Sequence, residues 1–301
     1  MAKILISDPV SDACIELLEK AGHECVLKTE KKTPEELAEI IQGYDAIVVR
    51  SATKVRKVAI DAADKLQLIV RGGVGIDNID HEYARSKGIT VSNTPTASSQ
   101  SVAELALAHM LGLYRFIPMA NLTMRKGEWN KKQYKGKELA DKVLGIIGFG
   151  NIGKSLAKKA LGLDMTVLAY DPYVHETDTN VKLVDLDTLL KRSDIISLHI
   201  PHTDSTHYLI DASAIEKMKP GVMIINCARG GVVDEKALLD ALNDGKVAFA
   251  GIDSFEEEPT TNMDLVSHPH VSVTPHIGAS TKEAQDRVGL EVADVIINFF
   301  K

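Results

Sequence analysis

Positive charge is in deficit: 35 Lys and Arg stand against 42 Asp and Glu, a formal net charge of -7. Non-specific nucleic-acid binding needs a basic face, so that function class is set aside. An anionic small molecule is not, because a few local cations dominate the field inside a small pocket. Cysteine is sparse too. Cys14, Cys25 and Cys227 are odd in number and widely spaced, which fits neither a disulfide framework nor a zinc site, and no metal is expected. Long apolar runs are missing. The longest, around Val102 to Leu113, carries Glu104 and His109 and falls short of the roughly 20 residues of a membrane span. The start, Met1-Ala2-Lys3-Ile4-Leu5-Ile6, lacks the apolar region of a signal peptide. No low-complexity segment and no short-period repeat is visible. A cytoplasmic protein with reduced thiols and no membrane partner is expected.

What is there is alternation. At 301 residues the chain suggests about two domains. Strand-like runs at Lys3-Ser7, His23-Lys28, Ala46-Val49, Leu66-Val70 and Thr90-Asn93 are interleaved with helical stretches such as Ser11-Lys20 and Pro34-Ile41. Thr33-Pro34-Glu35-Glu36 places a capping residue before a proline at the first helical position. A second series has strands at Val143-Gly148, Thr166-Asp171, Ile195-Ile200, Val222-Asn226, Ala248-Asp253 and Val271-Thr274. Such alternation predicts parallel sheets covered by helices on both faces, hence an α/β fold with two doubly wound domains. A helix from about Ser101, apolar almost all round, separates the two series and is predicted to be buried on several sides. The tail from Thr281 reads as a helix, with Ser280-Thr281-Lys282-Glu283 as its capping box and Val288, Val292, Val295, Ile296 and Phe299 at helical spacing.

The first motif with chemistry is Gly148-Phe149-Gly150-Asn151-Ile152-Gly153. An apolar strand precedes it and a helix-compatible stretch follows. Gly148 permits a tight turn, Gly150 lets backbone approach a pyrophosphate, and Gly153 lets helix pack on strand. The helix N-terminus offers N–H groups to phosphates. Asp171 closes the next strand, 23 positions after Gly148, where a carboxylate meets the adenosine ribose hydroxyls. No Arg follows Asp171, and its charge would repel a 2′-phosphate, so NAD is expected rather than NADP.

Hydride chemistry on an alcohol needs a base, a group that orients the base, and a cation for the substrate anion. Most of the ten histidines have bland settings: His268 and His270 flank a proline, and His23 and His81 sit near element starts. His276 differs, because it lies just past the strand Val271-Thr274, at the end of a sheet where ligands bind. Glu258 lies beyond another strand end and is a candidate orienter, although three successive glutamates, Glu256 to Glu258, leave the choice open. Arg229 sits just past Val222-Asn226 with two glycines behind it, and its fork suits a carboxylate. Two further runs at strand ends, Arg50-Ser51-Ala52-Thr53-Lys54 and Arg71-Gly72-Gly73-Val74, offer cations and backbone N–H groups for a phosphate or carboxylate.

The segments around Gly148, Asn226-Cys227-Ala228-Arg229-Gly230-Gly231, Asp253-Ser254-Phe255-Glu256-Glu257-Glu258-Pro259 and Pro275-His276-Ile277-Gly278-Ala279-Ser280-Thr281 resemble the D-isomer-specific 2-hydroxyacid dehydrogenase family, in order along the whole chain. The resemblance implies His276 as acid/base, Glu258 as its partner and Arg229 as the substrate-binding arginine. It implies that Asp253 lies near the nicotinamide carboxamide, with Val74, Asn151, Ile152, Ile200, Cys227, Ala228, Gly278 and Ala279 lining the NAD. It implies a Rossmann nucleotide-binding domain, residues 96-278, inserted in a flavodoxin-like substrate domain, residues 1-95 and 279-301, with a cleft between them and a homodimer. The runs holding Arg50, Ser51, Lys54, Arg71, Gly73 and Val74 look like those of members acting on phosphorylated substrates. The expected reaction is therefore oxidation of 3-phospho-D-glycerate to 3-phosphohydroxypyruvate, a step of serine biosynthesis, with one further basic residue from Lys131, Lys132 or Lys135. Ile200 stands where some members have Thr. The chain ends at Lys301 without the C-terminal regulatory domain of some relatives, and no serine feedback is expected. Rival readings are another 2-hydroxy acid, such as glyoxylate or hydroxypyruvate, and an NAD-sensing corepressor, for which no recruitment segment is visible.

Overall fold

The computed structural model describes residues 1–301 and divides into two compact units, Met1–Ser98 with Ala279–Lys301, and Ser99–Gly278. The first unit runs β1 (Lys3–Ile6), α1 (Asp12–Lys20), β2 (Glu24–Leu27), α2 (Pro34–Ile40), β3 (Ala46–Val49), α3 (Lys57–Ala62), β4 (Leu68–Arg71), α4 (His81–Ser86) and β5 (Thr90–Asn93). All its strands are parallel, in the order β2-β1-β3-β4-β5. That is the flavodoxin-like winding. Parity along the strands divides the core in two. Leu5, Ile47, Val49 and Ile69 meet Leu37 and Ala59 on one face; Ile4, Ile6, Val48 and Val70 meet Cys14 and Leu18 on the other. Each such side chain contributes roughly 1.5–3 kcal/mol by leaving water. Strands apolar on both faces are what a doubly covered parallel sheet requires.

The second unit continues with α5 (Ser99–Tyr114), α6 (Ile117–Arg125), β6 (Val143–Ile147), α7 (Asn151–Leu161), β7 (Thr166–Tyr170), β8 (Lys182–Leu183), α8 (Leu186–Arg192), β9 (Ile195–Leu198), α9 (Ala212–Lys217), β10 (Val222–Asn226), α10 (Glu235–Asn243), β11 (Val247–Ile252), α11 (Met263–Val266) and β12 (Val271–Val273). Its order is β12-β11-β10-β9-β6-β7-β8, all parallel. This is the Rossmann order, extended by β12. Asp185, Asp211 and Asp234 start α8, α9 and α10 by accepting the N–H three residues on. The α5 helix is buried over most of its length, among β6, β10 and α7. No helix is long and apolar enough to cross a membrane.

The chain closes in the first unit with α12 (Lys282–Phe299), whose Val288, Val292 and Ile296 cover the sheet. Two local expectations shift. The α12 N-cap is Thr281, which accepts from Ala284 N–H, so the Ser280/Glu283 box does not form. Burial of the Val288-Val292-Ile296 stripe sets the helix phase, and Thr281 is the residue left extended at its start. The fourth strand begins at Leu68, not Leu66, and Arg71 is its last residue rather than the first of the loop. Around Thr33 the capping box is complete: Glu36 N–H donates to Thr33 Oγ1 and Thr33 N–H to Glu36 Oε2.

Candidate active site

In the second sheet the winding reverses between β6 and β9, and the carboxyl ends of these strands form the ligand crevice of such folds. The glycine loop lies there. Gly148 has φ +93°, and a Cβ on it would stand 2.4 Å from the His199 carbonyl oxygen beyond β9. Only glycine fits both restraints. A Cβ on Gly153 would stand 2.2 Å from the Gly148 oxygen, so α7 owes its close seat on β6 to that glycine. Gly150 is different: nothing lies within 4 Å of where its Cβ would be. That open space faces the start of α7, whose N-cap is Gly150 and brings no side-chain cap. Asn151 and Ile152 form the first helical turn. Asp171 Oδ2 accepts the Phe149 N–H at 2.8 Å and Oδ1 the Tyr173 N–H at 2.9 Å, so the acidic residue is anchored to the loop itself. A dinucleotide fits here: room at Gly150 and helix N–H groups for the pyrophosphate, and a fixed carboxylate for the ribose. Ile200 lies against Gly148, and Cys227 and Ala228 are buried at the end of β10. Burial, then the charge of Asp253, pushes the Cys227 thiol up, which leaves it a packed neutral side chain.

Past β12 the chain turns sharply. His276 has φ +53°, an unusual conformation for a residue with a Cβ. Asp253, buried after β11, holds the turn: Oδ1 accepts the Ile277 N–H and Oδ2 the Gly278 N–H, both at 2.8 Å, and Oδ1 also accepts the Thr274 hydroxyl at 2.6 Å. The His276 Nδ1 lies 2.8 and 3.0 Å from the two oxygens of Glu258. Glu258 also accepts the Phe255 N–H. Beside the pair is a hollow of about 430 Å³ with Phe255, Pro259, Val266, Val273 and Pro275 in its wall. Burial there would raise the Glu258 carboxyl, but the His276 hydrogen bond and charge, the Phe255 amide and the Arg229 charge outweigh it, and the net shift is downward. Arg229, beyond β10, is half-buried; its Nη1 donates to the Ala228 carbonyl, and its own carbonyl accepts from Asn226. Arg229, Glu258 and His276 are thus brought together within one unit. Glu256 and Glu257 point elsewhere, Glu256 to Tyr208 and the Glu235 N–H, Glu257 to Thr261.

The residues from Ser99 to Gly278 carry almost all of this geometry, and residues 107–278 match the model of the D-isomer specific 2-hydroxyacid dehydrogenase, NAD binding domain. The chain belongs to the D-isomer specific 2-hydroxyacid dehydrogenase family. This dehydrogenase is 50% identical over 297 residues to a hydroxypyruvate reductase of Thermotoga maritima, covering 98% of this chain and 97% of that protein. It is 47% identical over 300 residues to a D-3-phosphoglycerate dehydrogenase of Methanocaldococcus jannaschii, of which it spans 57% of the length. Its fold matches a D-lactate dehydrogenase of Aquifex aeolicus complexed with NAD and lactic acid, with a TM-score of 0.86 and 31% identity over 99% of this chain and 95% of that one. The chain is therefore an NAD-dependent D-2-hydroxyacid dehydrogenase.

Of the remaining expected residues, Arg50, Ser51, Lys54, Arg71, Gly73, Val74 and Ala279 lie in the first unit of the dehydrogenase, and Lys131, Lys132 and Lys135 in the second. Arg50 and Ser51 line a depression of about 430 Å³ with Asp8, Thr281, Lys282 and Gln285. The Arg50 Nη1 donates to Gln285 Oε1, and its backbone N–H to Asp8 Oδ2. Burial pushes the Arg50 guanidinium down, with the Asp8 charge opposing. Lys54 is exposed and is not in the wall of this depression. The Arg71 guanidinium folds over Gly73, at φ +144°, and the Val74 carbonyl accepts from Asn93. Ala279 accepts from Gln285 Nε2. Lys131, Lys132 and Lys135 are all exposed. Sequence reading missed Lys282, Gln285 and His109. A helix starting with Lys282 and Gln285 beside a cationic depression, and a lone histidine in an apolar helix, were the available signals.

Proposed function

We propose that this dehydrogenase oxidises 3-phospho-D-glycerate to 3-phosphohydroxypyruvate. Glu258 accepts from Nδ1 of His276, so that nitrogen carries the proton and Nε2 keeps a free lone pair. His276 Nε2 takes the proton of the substrate C2 hydroxyl, and the Glu258 charge stabilises the imidazolium that results. Arg229 holds the substrate carboxylate with its fork and polarises the reacting oxygen. NAD, when bound, supplies the acceptor for the hydride that leaves C2. The turn fixed by Asp253 keeps His276 in its left-handed conformation, so the base is aimed before substrate arrives.

The choice of a phosphorylated acid rests on one observation: Arg50, half-buried and gripped by Gln285, stands in the wall of the same depression as Lys282. A guanidinium fixed in this way suits a phosphate bidentately. A second reading is hydroxypyruvate reduction, favoured by the Thermotoga maritima relative of equal length. The two redox couples, 3-phospho-D-glycerate with 3-phosphohydroxypyruvate and D-glycerate with hydroxypyruvate, differ by the phosphate alone. A panel of phosphorylated and plain 2-hydroxy and 2-oxo acids, read by NADH absorbance, separates them. Arg50→Ala is expected to raise KM for the phosphorylated acid by about tenfold or more and leave the plain acid unchanged. An equal loss on both, or a plain acid preferred by the wild type, overturns the phosphate reading.

A further inference from the structure

The mechanism leaves the buried imidazole of His109 without a task. His109 lies midway along α5, only 4% exposed, on a helix otherwise lined by Val102, Ala106, Met110 and Leu113. An imidazole in such a place is costly unless its nitrogens are paired. Both are paired, and both partners belong to one face of the last strand segment. Nδ1 lies 2.9 Å from the Ser272 hydroxyl, and Nε2 lies 3.2 Å from the Thr274 hydroxyl. A side-chain period of two puts these hydroxyls on one side of the strand.

The direction of these bonds follows from their far end. The Thr274 hydroxyl gives its single proton to Asp253 Oδ1 at 2.6 Å. Toward His109 it must then accept, so Nε2 carries the imidazole proton and Nδ1 accepts from Ser272. Burial lowers the His109 pKa, against the Asp253 charge, which agrees with a neutral ring. Asp253 spends its other bonds on Ile277 and Gly278, the two residues after His276. A second feature was built for the ring: a Cβ on Gly251 of β11 would stand 2.8 Å from the His109 Cβ and 3.0 Å from its Cγ. Glycine alone lets the ring sit down on the sheet at that point.

We propose that His109 is a positioning residue: through Thr274 it fixes the Asp253 carboxylate, and so holds the turn that presents His276. The inference rests on the assignment of Asp253 and His276 to the active site. Side chains that orient a functional group in this way are felt through it, not through substrate contact.

The test compares His109→Leu, His109→Gln, Thr274→Val, the His109→Leu/Thr274→Val double variant and Asp253→Asn, each in the full chain. NADH affinity by fluorescence titration, kcat, KM and melting temperature are read for each. His109→Leu is expected to weaken NADH binding and lower kcat on the order of tenfold, with substrate KM little changed. His109→Gln, which keeps an N–H donor, recovers most of the loss. The double variant loses no more than its worse parent, because both substitutions break one chain of bonds. Normal NADH affinity and kcat in His109→Leu with only the melting temperature lowered, or losses that multiply in the double variant, overturn the proposal. Should His109→Leu not fold, Thr274→Val decides alone, and an unchanged kcat sinks the idea. The NADH readout does not depend on which acid is the substrate. If Asp253→Asn is also silent, the site assignment fails as well; if it is damaging while His109→Leu is not, only the role of His109 fails.

Discussion

Replacing Glu258 by Gln removes one charge while keeping a carbonyl oxygen where His276 Nδ1–H donates. The tautomer of His276 is preserved and only the electrostatic support of its protonated form is lost. With Nδ1 at 2.8 Å from the nearer oxygen, Coulomb's law gives about 1.5 kcal/mol in water-like surroundings and about 6 kcal/mol at the effective dielectric of a protein surface. Both side chains are 41% exposed, so screening holds the interaction near the lower bound. Taking about 1.5–2.5 kcal/mol, kcat should fall about 10- to 70-fold at about 1.4 kcal/mol per decade. Substrate KM and NADH affinity should stay within about twofold, because Glu258 touches neither in this scheme. Steady-state kinetics with NADH absorbance measures all three. A kcat within about twofold of wild type, or a loss confined to KM, refutes the pairing as a catalytic device. Stability supplies a second arm. The folded Glu258 carboxyl lies below its reference of 4.5, so its pairing stabilises the fold above that pH and is lost as pH falls through the lowered value. The melting temperatures of wild type and Glu258→Gln should therefore converge as the pH drops below about 4.5.

The glycine loop and Asp171 give two further tests. Asp171→Ala should weaken NAD binding on the order of tenfold and narrow the preference for NAD over NADP, since it removes the carboxylate that anchors the Phe149 N–H and that would meet the ribose hydroxyls; unchanged dissociation constants for both cofactors would exclude that role. Gly148→Ala and Gly150→Ala should fail in different ways. The first meets the His199 carbonyl at a positive φ and should cost at least about 2 kcal/mol of stability, seen as a lower melting temperature. The second has space and an ordinary φ, so it should fold normally and bind NADH poorly; normal NADH binding by Gly150→Ala would place the pyrophosphate elsewhere.

Eleven strands could be read from the chain because parallel strands covered on both faces are apolar throughout, as Ala46–Val49 and Val222–Asn226 are. The missing strand, Lys182–Leu183, is an edge of two residues with no pattern to detect. Short helices such as Lys57–Ala62 and His81–Ser86 escaped for a related reason: six residues hold too little periodicity, and packing rather than propensity forms them. Position past a strand end singled out His276 and Arg229, and the loop geometry that selects Glu258 over Glu256 is tertiary. His109 was hidden by distance. Its partners Ser272 and Thr274 lie 163 and 165 positions further along the chain, and nothing local to α5 announces them.

The substrate remains the least legible part, and the physics says why. Hydride chemistry needs a whole constellation with fixed mutual geometry, and such a constellation leaves several motifs in the sequence. Recognition of a phosphate needs only one or two cations at the right depth. Lys54 and Arg50 are equivalent as letters, yet they differ as charges. Lys54 is exposed, strongly hydrated and screened. Arg50 is partly desolvated, anchored through its backbone to Asp8 and through its guanidinium to Gln285, 235 positions away. Its ordering cost is already met, and its field is less screened. On the proposed reading, Arg50 and its partner Gln285 carry the discrimination between a plain and a phosphorylated acid, and the Arg50→Ala comparison tests it.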